Sequence, residues 1–151
     1  MPTRPCSAAR ALEVLGARWA LLVLREVNLG NHRFDDIQRA TGAPRAALSA
    51  RLTELVAAGL LQGREYRVPG ARPRTEYCAT PAGRDLQPVL AALMDWGDRY
   101  RPGPDGPPAR LVHRGCDAAV HARLVCEAGH QVGELDLRPY AAGSGAALGA
   151  Q

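Results

Sequence analysis

Apolar positions in the first hundred residues recur at helical spacing in successive blocks and then switch to strand-like alternation. "SAARALEVLG", from Ser7 to Gly16, predicts a short helix that Ser7 can cap and Gly16 can end. "ARWALLVLREVNLG" predicts a second helix closing at Gly30. Trp19, Leu21, Leu22, Val23 and Leu24 make it apolar on most sides, so it belongs in the middle of a core. A strand competes over "WALLVL", but the length between the two glycines and the flanking Arg25 and Glu26 favour a helix. A third helix starts near Asp35, which forms a candidate capping box with Gln38 and turns Phe34, Ile37 and Ala40 inward. Thr41-Gly42 breaks the chain. Ala43-Pro44 opens a fourth helix, with proline in its first turn and one apolar stripe of Leu48, Leu52, Leu55 and Val56, and Gly59 ends it.

Beyond Gly59 the period changes from about 3.6 to 2. "LLQGREYRV" and "RTEYCAT" are two strand-like runs joined by "PGARP", a hairpin with a basic tip. Thr80-Pro81 then starts a fifth helix, along which Leu86, Val89, Leu90, Leu93, Trp96 and Tyr100 recur at helical spacing. The order predicts a mainly α fold with a small β-hairpin wing (α+β), a winged helix-turn-helix, plus a short C-terminal hairpin-like extension. "RPGPDGPPARL" cannot continue a helix or a central strand. The expected organisation is a winged helix-turn-helix domain over 1–101, a Pro/Gly linker over 102–110, a small Cys/His-containing extension over 111–140 and a disordered tail over 141–151.

Charge sharpens this picture. The chain carries 19 basic residues against 15 acidic ones, a net +4, and every basic residue is arginine. Residues 1–101 hold 15 arginines against 10 acids, while 102–151 hold 4 against 5, so the positive excess belongs to the predicted winged domain. Arginine offers a planar fork suited to phosphates and guanine edges. Two helices around a glycine turn are by themselves as readily a packing unit as a DNA reader; the basic ribbon directly after them favours the reader.

Projecting the fourth helix at about 100° per residue leaves Ala46, Ser49, Ala50 and Thr53 facing out, with Arg45 and Arg51 on the shoulders. Small residues let a helix backbone approach a groove closely. Arg45 is the candidate for a guanine edge, Ser49 and Ala50 for base or phosphate contacts, and Arg51 for a phosphate. Arg33 or His32 can clamp another phosphate, and Arg72 and Arg74 sit at the ribbon. Exposed arginines are usually just a solvated face; here Arg33, Arg45, Arg51, Arg72 and Arg74 are all expected on one side of the unit.

The run "CSAARALEVLGARWALLVLREVNLGNHRFDDIQRATGAPRAALSARLTELVAAGLLQGREY" with "PRTEYCATPAGRDLQPVLAALMDWGDRY" closely resembles the HxlR-type winged helix-turn-helix transcriptional regulators, relatives of the MarR group, over about residues 6–100. "LGARWALLVLRE", "LSARLTELVAAGLL", "RTEY" and "TPAGR" are its most specific pieces. The resemblance implies a cytoplasmic homodimer on a pseudo-palindromic double-stranded DNA operator, more often a repressor than an activator, with the first and last helices forming the dimer interface. Leu12 represents the first helix there, and Leu86, Val89, Leu90, Leu93 and Trp96 the last; a stripe serving only the chain's own core is the alternative. An interaction module that no longer reads DNA is the competing function.

Cys6 precedes the first helix, where the positive helix end favours the thiolate. Some members of the family that the chain resembles sense oxidants or electrophiles through a cysteine near the amino terminus, which makes Cys6 a candidate redox switch and an oxidant or small molecule a candidate effector. Packing beneath the dimer helices is the plainer role. In the extension, His113, Cys116, Cys126 and His130 have a spacing that can close a tetrahedral Cys2His2 zinc site on a small hairpin, the alternative being a metal-free hairpin. That segment resembles the cysteine-bearing extension of some relatives, which end in C-x-x-C; Gly129 stands where the second cysteine would be. No cofactor is otherwise required. No apolar run approaches the about 20 residues of a membrane span, and the four scattered cysteines suit a reduced compartment. Three of the four histidines lie in the extension, and no nucleophile, base and stabiliser assemble as an enzyme would need.

Overall fold

A computed structural model of the chain describes residues 6–138; the expected disordered tail, 141–151, lies outside them. The elements run α1 (Ser7–Leu15), α2 (Ala20–Asn28), α3 (Phe34–Thr41), α4 (Arg45–Ala57), β1 (Leu61–Tyr66), β2 (Arg74–Ala79), α5 (Pro81–Arg84), α6 (Gln87–Tyr100), β3 (Leu124–Val125), β4 (Gln131–Val132) and a closing 3-10 turn, Glu134–Asp136. They divide into two compact units, up to Leu90 and from Ala91 onward, so the division falls within α6.

In the first unit α2 is the central helix, as its apolar run predicts. Ala20, Val23, Leu24 and Val27 are buried together with Ile37, Leu48, Leu52, Leu55, Leu61 and Leu90. Burying each of these leucines contributes about 1.5–3 kcal/mol. A buried carboxylate accompanies them: Glu26, 5% exposed, accepts hydrogen bonds from Arg25 Nε at 2.8 Å and Asn31 Nδ2 at 2.7 Å. Those partners make its burial tolerable. Trp19, expected inside the second helix, instead precedes it at φ +77°, half-buried against the core with the Arg18 guanidinium 4.8 Å from its ring centre.

Several local expectations need correction. Cys6, not Ser7, occupies the N-cap of α1; the Ser7 hydroxyl accepts from Arg10 at 3.1 Å. Asp35 and Gln38 form no capping box, because α3 begins one residue earlier at Phe34, Asp35 pairs with Arg45 and Gln38 donates to the Ala43 carbonyl. Ala40 and Val56 are exposed; the inner face of α3 is supplied by Phe34, Ile37, Gln38 and Thr41. Pro44 is the N-cap of α4 rather than a residue of its first turn. The single fifth helix is two: Pro88 has no N–H for the Arg84 carbonyl and its ring crowds it, so α5 stops at Arg84 and Leu86 lies in the turn before α6. Thr80 caps α5, its hydroxyl accepting from Gly83 N at 3.2 Å and donating to the Gly59 carbonyl at 2.6 Å.

The hairpin forms as predicted, antiparallel from Leu61↔Ala79 to Tyr66↔Arg74. At its tip Ala71 N donates to the Val68 carbonyl at 3.0 Å, with Pro69 presetting the turn and Gly70 at φ +78°, where a side chain would be strained. In the second unit, β3 and β4 pair antiparallel and Val112 bridges Ala119, the hairpin-like extension expected.

Candidate nucleic-acid interface

Gly42, at φ +68°, ends α3 and sends the chain into α4, so the two helices are joined by a turn only three residues long, 42–44. Leu48, Leu52 and Leu55 fix α4 against the core. Arg45, Ala46, Ser49, Ala50 and Thr53 are left exposed, the face that projection predicts. The Thr53 hydroxyl donates back to the Ser49 carbonyl at 3.0 Å, which occupies its polar atom within the helix.

A long-range contact ties this helix pair to the wing. Tyr77 N donates to the His32 carbonyl at 2.7 Å, His32 Nδ1 lies 2.9 Å from the Tyr77 carbonyl, and Arg33 bridges Glu76 of β2. His32 is therefore a structural link to the wing. The segment before α3 acts as a short third strand beside the hairpin. This brings Arg33, Arg45 and Arg74 to one open groove of about 640 Å³, together with Arg39, Phe34 and Tyr66.

The groove orders its guanidinium groups by different means. Arg33 stacks on Tyr66 at 4.8 Å. Arg45 stacks on Phe34 at 4.7 Å while donating to Asp35 Oδ1 at 3.0 Å. Arg39 pairs with Asp36 at 3.1 Å. Arg74 has no carboxylate within salt-bridge distance among the described residues, nor has Arg72 on the exposed wing loop outside the groove. Arg51 is different: its side chain is only 18% exposed, it pairs with Glu54, and its buried Nε has no partner among the described residues. Ser49 and Ala50 lie on the exposed face of α4 but do not line the groove.

Sequence reasoning missed Arg39 and Tyr66. Arg39 could have been found as the next basic turn of α3 after Asp35 and Asp36. Tyr66 could not, because its contact with Arg33 depends on the pairing of β2 with the segment before α3.

The other candidate residues are placed as follows. Leu90 is 4% exposed in the core and Leu86 packs against that core, whereas Leu12, Val89, Leu93 and Trp96 are exposed. Cys6 is an exposed free thiol. His113 Nδ1 approaches Cys116 Sγ to 3.2 Å, and Cys126 and His130 close the turn between β3 and β4 through Cys126 N and the His130 carbonyl at 3.0 Å. Among the described residues no three metal-ligating side chains converge. Nor, among them, is any helix long and apolar enough to cross a membrane.

The family profile described as HxlR-like helix-turn-helix matches residues 14–104. An uncharacterised HTH-type transcriptional regulator of Mycobacterium tuberculosis is 47% identical over 122 residues, covering 80% of this chain and 75% of that one. The uncharacterised regulator YdeP of Bacillus subtilis is 30% identical, over 64% of this chain and 74% of its own. Among solved structures, PA1607, a candidate transcription factor, aligns over 91% of this chain and 96% of its own at 31% identity and a TM-score of 0.77. The redox regulator HypR in its oxidised form aligns over 65% of this chain and all of its own at 27% identity and a TM-score of 0.58. A helix pair with an exposed small-residue face, a basic wing and a profile match across both place the chain in one family: it belongs to the HxlR-like helix-turn-helix transcriptional regulators.

Proposed function

We propose that the protein acts as a homodimeric repressor on a pseudo-palindromic operator, with α4 in the major groove and the wing on the flanking backbone. The observation that carries the reading is the exposed face Ala46, Ser49, Ala50 and Thr53 of α4, which lies next to Arg45 and is flanked by a groove holding Arg33 and Arg74. In this reading Arg45 reads a base edge, Ser49 and Ala50 contact bases or phosphates, and Arg33, Arg51, Arg72 and Arg74 contact phosphates. Pairing of two copies draws on Leu12, Val89, Leu93 and Trp96, all exposed in the single chain. Two-fold symmetry then spaces the two copies of α4 about 34 Å apart.

Footprinting on the DNA upstream of its own gene, with light scattering on the protein alone, tests both parts. A protected site with two half-sites one helical turn apart and a dimeric mass is expected, and a reporter under that site should rise when the protein is removed. A monomer, or protection without half-sites, refutes the dimer reading. Binding with no sequence preference at any salt concentration supports the interaction-module alternative instead.

A redox-controlled version is favoured by one observation, the exposed Cys6 thiol at the amino-terminal cap of α1, together with the likeness to the redox regulator HypR. Diamide should then weaken operator binding of the native chain and leave Cys6→Ser unaffected; equal loss in both would remove Cys6 from the mechanism.

A further inference from the structure

We infer that the second unit holds a binding site for a small organic anion with an aromatic or apolar body. A cavity of about 1160 Å³ opens between the C-terminal part of α6 and the segment 107–134, with every lining residue drawn from this unit. Its volume, a little above the about 300–1,000 Å³ usual for ligand sites, leaves room for a small organic molecule. One wall is aromatic: Trp96 and Tyr100 lie with ring centres 5.5 Å apart and planes tilted by 46°. Tyr100, about half exposed and outside the residues proposed to pair two copies, leaves its ring as surface for a planar guest beside Trp96.

Charge decides the class of guest. Arg99, Arg101, Arg110 and Arg123 all line the cavity, and none has a carboxylate within salt-bridge distance among the described residues. The carboxylates at the cavity are Asp95, Asp98 and Glu134. Both oxygens of Asp95 are engaged, Oδ1 with His121 Nδ1 at 2.8 Å and Oδ2 with the Ala122 N–H at 3.0 Å. The guanidinium groups therefore outnumber the carboxylates that could neutralise them, and a planar anionic group fits their fork.

The same contacts make the wall a built feature. Asp95 pins the 121–122 backbone to α6 and holds the His121 ring by one nitrogen, which leaves Nε2 for a guest. An Asp–His pair in a cleft also suggests hydrolysis, but the lining contains no serine, threonine, cysteine or lysine beside it. Binding without turnover is what the residues provide. The site stands without the DNA-reading proposal. Any effect of a guest on transcription would rest on that reading, through Trp96, which the proposed pairing of two copies also uses.

The test titrates the full chain, carrying Trp19→Phe so that Trp96 alone reports, with 3-phenylpropionate and with its neutral counterpart 3-phenylpropan-1-ol, in the absence of DNA. The carboxylate should shift the Trp96 emission saturably, with a Kd of about 1 mM or tighter, and the alcohol at least tenfold more weakly. Arg99→Ala with Arg123→Ala should weaken the carboxylate at least tenfold with an unchanged circular dichroism spectrum. Arg33→Ala with Arg74→Ala, in the other basic groove, should leave it unaltered. Equal binding of the alcohol, no saturation by either probe, no effect of the first pair, or an equal loss with the second pair each overturns the inference.

Discussion

The sharpest consequence of the groove concerns Arg45 and Asp35. An acidic residue on a DNA-facing surface costs affinity for phosphates, yet Asp35 accepts from Arg45 at 3.0 Å while Phe34 supports the same guanidinium at 4.7 Å. If Arg45 reads a base edge, Arg45→Ala should remove about 1–3 kcal/mol of discrimination at each half-site, which is about 5- to 150-fold in operator Kd for each of the two. On scrambled DNA the same change removes at most one phosphate contact per subunit, and with each a salt dependence of about 3.5-fold between about 50 and 200 mM salt.

Asp35→Asn acts by two effects of opposite sign. Losing a negative charge strengthens binding to any DNA. Losing the partner that holds Arg45, an exposed ion pair worth about 0.2–1 kcal/mol, frees the guanidinium to leave the orientation that the operator needs. Affinity for scrambled DNA should therefore rise, while the ratio of operator to scrambled affinity falls by about 1.4- to 5-fold for each half-site. Fluorescence anisotropy on both duplexes, repeated at several salt concentrations, measures each quantity, and the double variant isolates the coupling. An Arg45→Ala loss equal on both duplexes would show that Arg45 touches phosphate alone. An Asp35→Asn gain equal on both would show that Asp35 does not orient it.

Three further outcomes follow. Leu52→Ala, at a fully buried position, should cost about 2–5 kcal/mol and Val56→Ala, on the exposed side of α4, well under half as much, read from urea unfolding at one fixed protein concentration. The hydrogen bond from His121 holds the Asp95 carboxyl below its ordinary value, so its contribution to the second unit is present above the usual carboxylate range and is lost as pH falls through the lowered pKa. NMR shifts of residues 119–123 during acid titration should follow that protonation in the native chain and lose it in Asp95→Asn; an unchanged titration would remove Asp95 from the contact. Finally, because among the described residues no third and fourth ligands converge on the His113–Cys116 pair, metal analysis at pH 7 should find well under one zinc per chain; one equivalent, lost in Cys126→Ser, would refute this and support the four-ligand site.

The sequence displays α2 as the core helix because burial on most sides leaves an almost unbroken apolar run, and the hairpin because its period changes where Gly59 ends α4. It misleads where a residue's fate depends on a neighbour far along the chain. Pro88 breaks the last predicted helix by crowding a carbonyl one turn back, a local rule open to inspection. The groove, in contrast, requires Arg33 to meet Glu76, and the cavity of the second unit requires Asp95 to meet His121. No periodicity encodes either pairing.

The arginines show why a helical projection locates a candidate surface without ranking its members. Projection sets Arg45 and Arg51 on opposite shoulders of one apolar stripe, as equals. In the folded chain the Arg51 side chain is largely buried with Glu54 on its guanidinium, so recruiting it to a phosphate means breaking an ion pair and re-exposing that side chain. Arg33 rests on a neutral ring, and Arg74 and Arg72 have no acidic partner to release among the described residues. For the same gain in phosphate contact, these three lose less on binding than Arg51 does. Replacing Arg33, Arg72 or Arg74 by alanine should therefore weaken binding to scrambled DNA more than Arg51→Ala does, and the reverse order would mean that Glu54 gives up its partner at little cost.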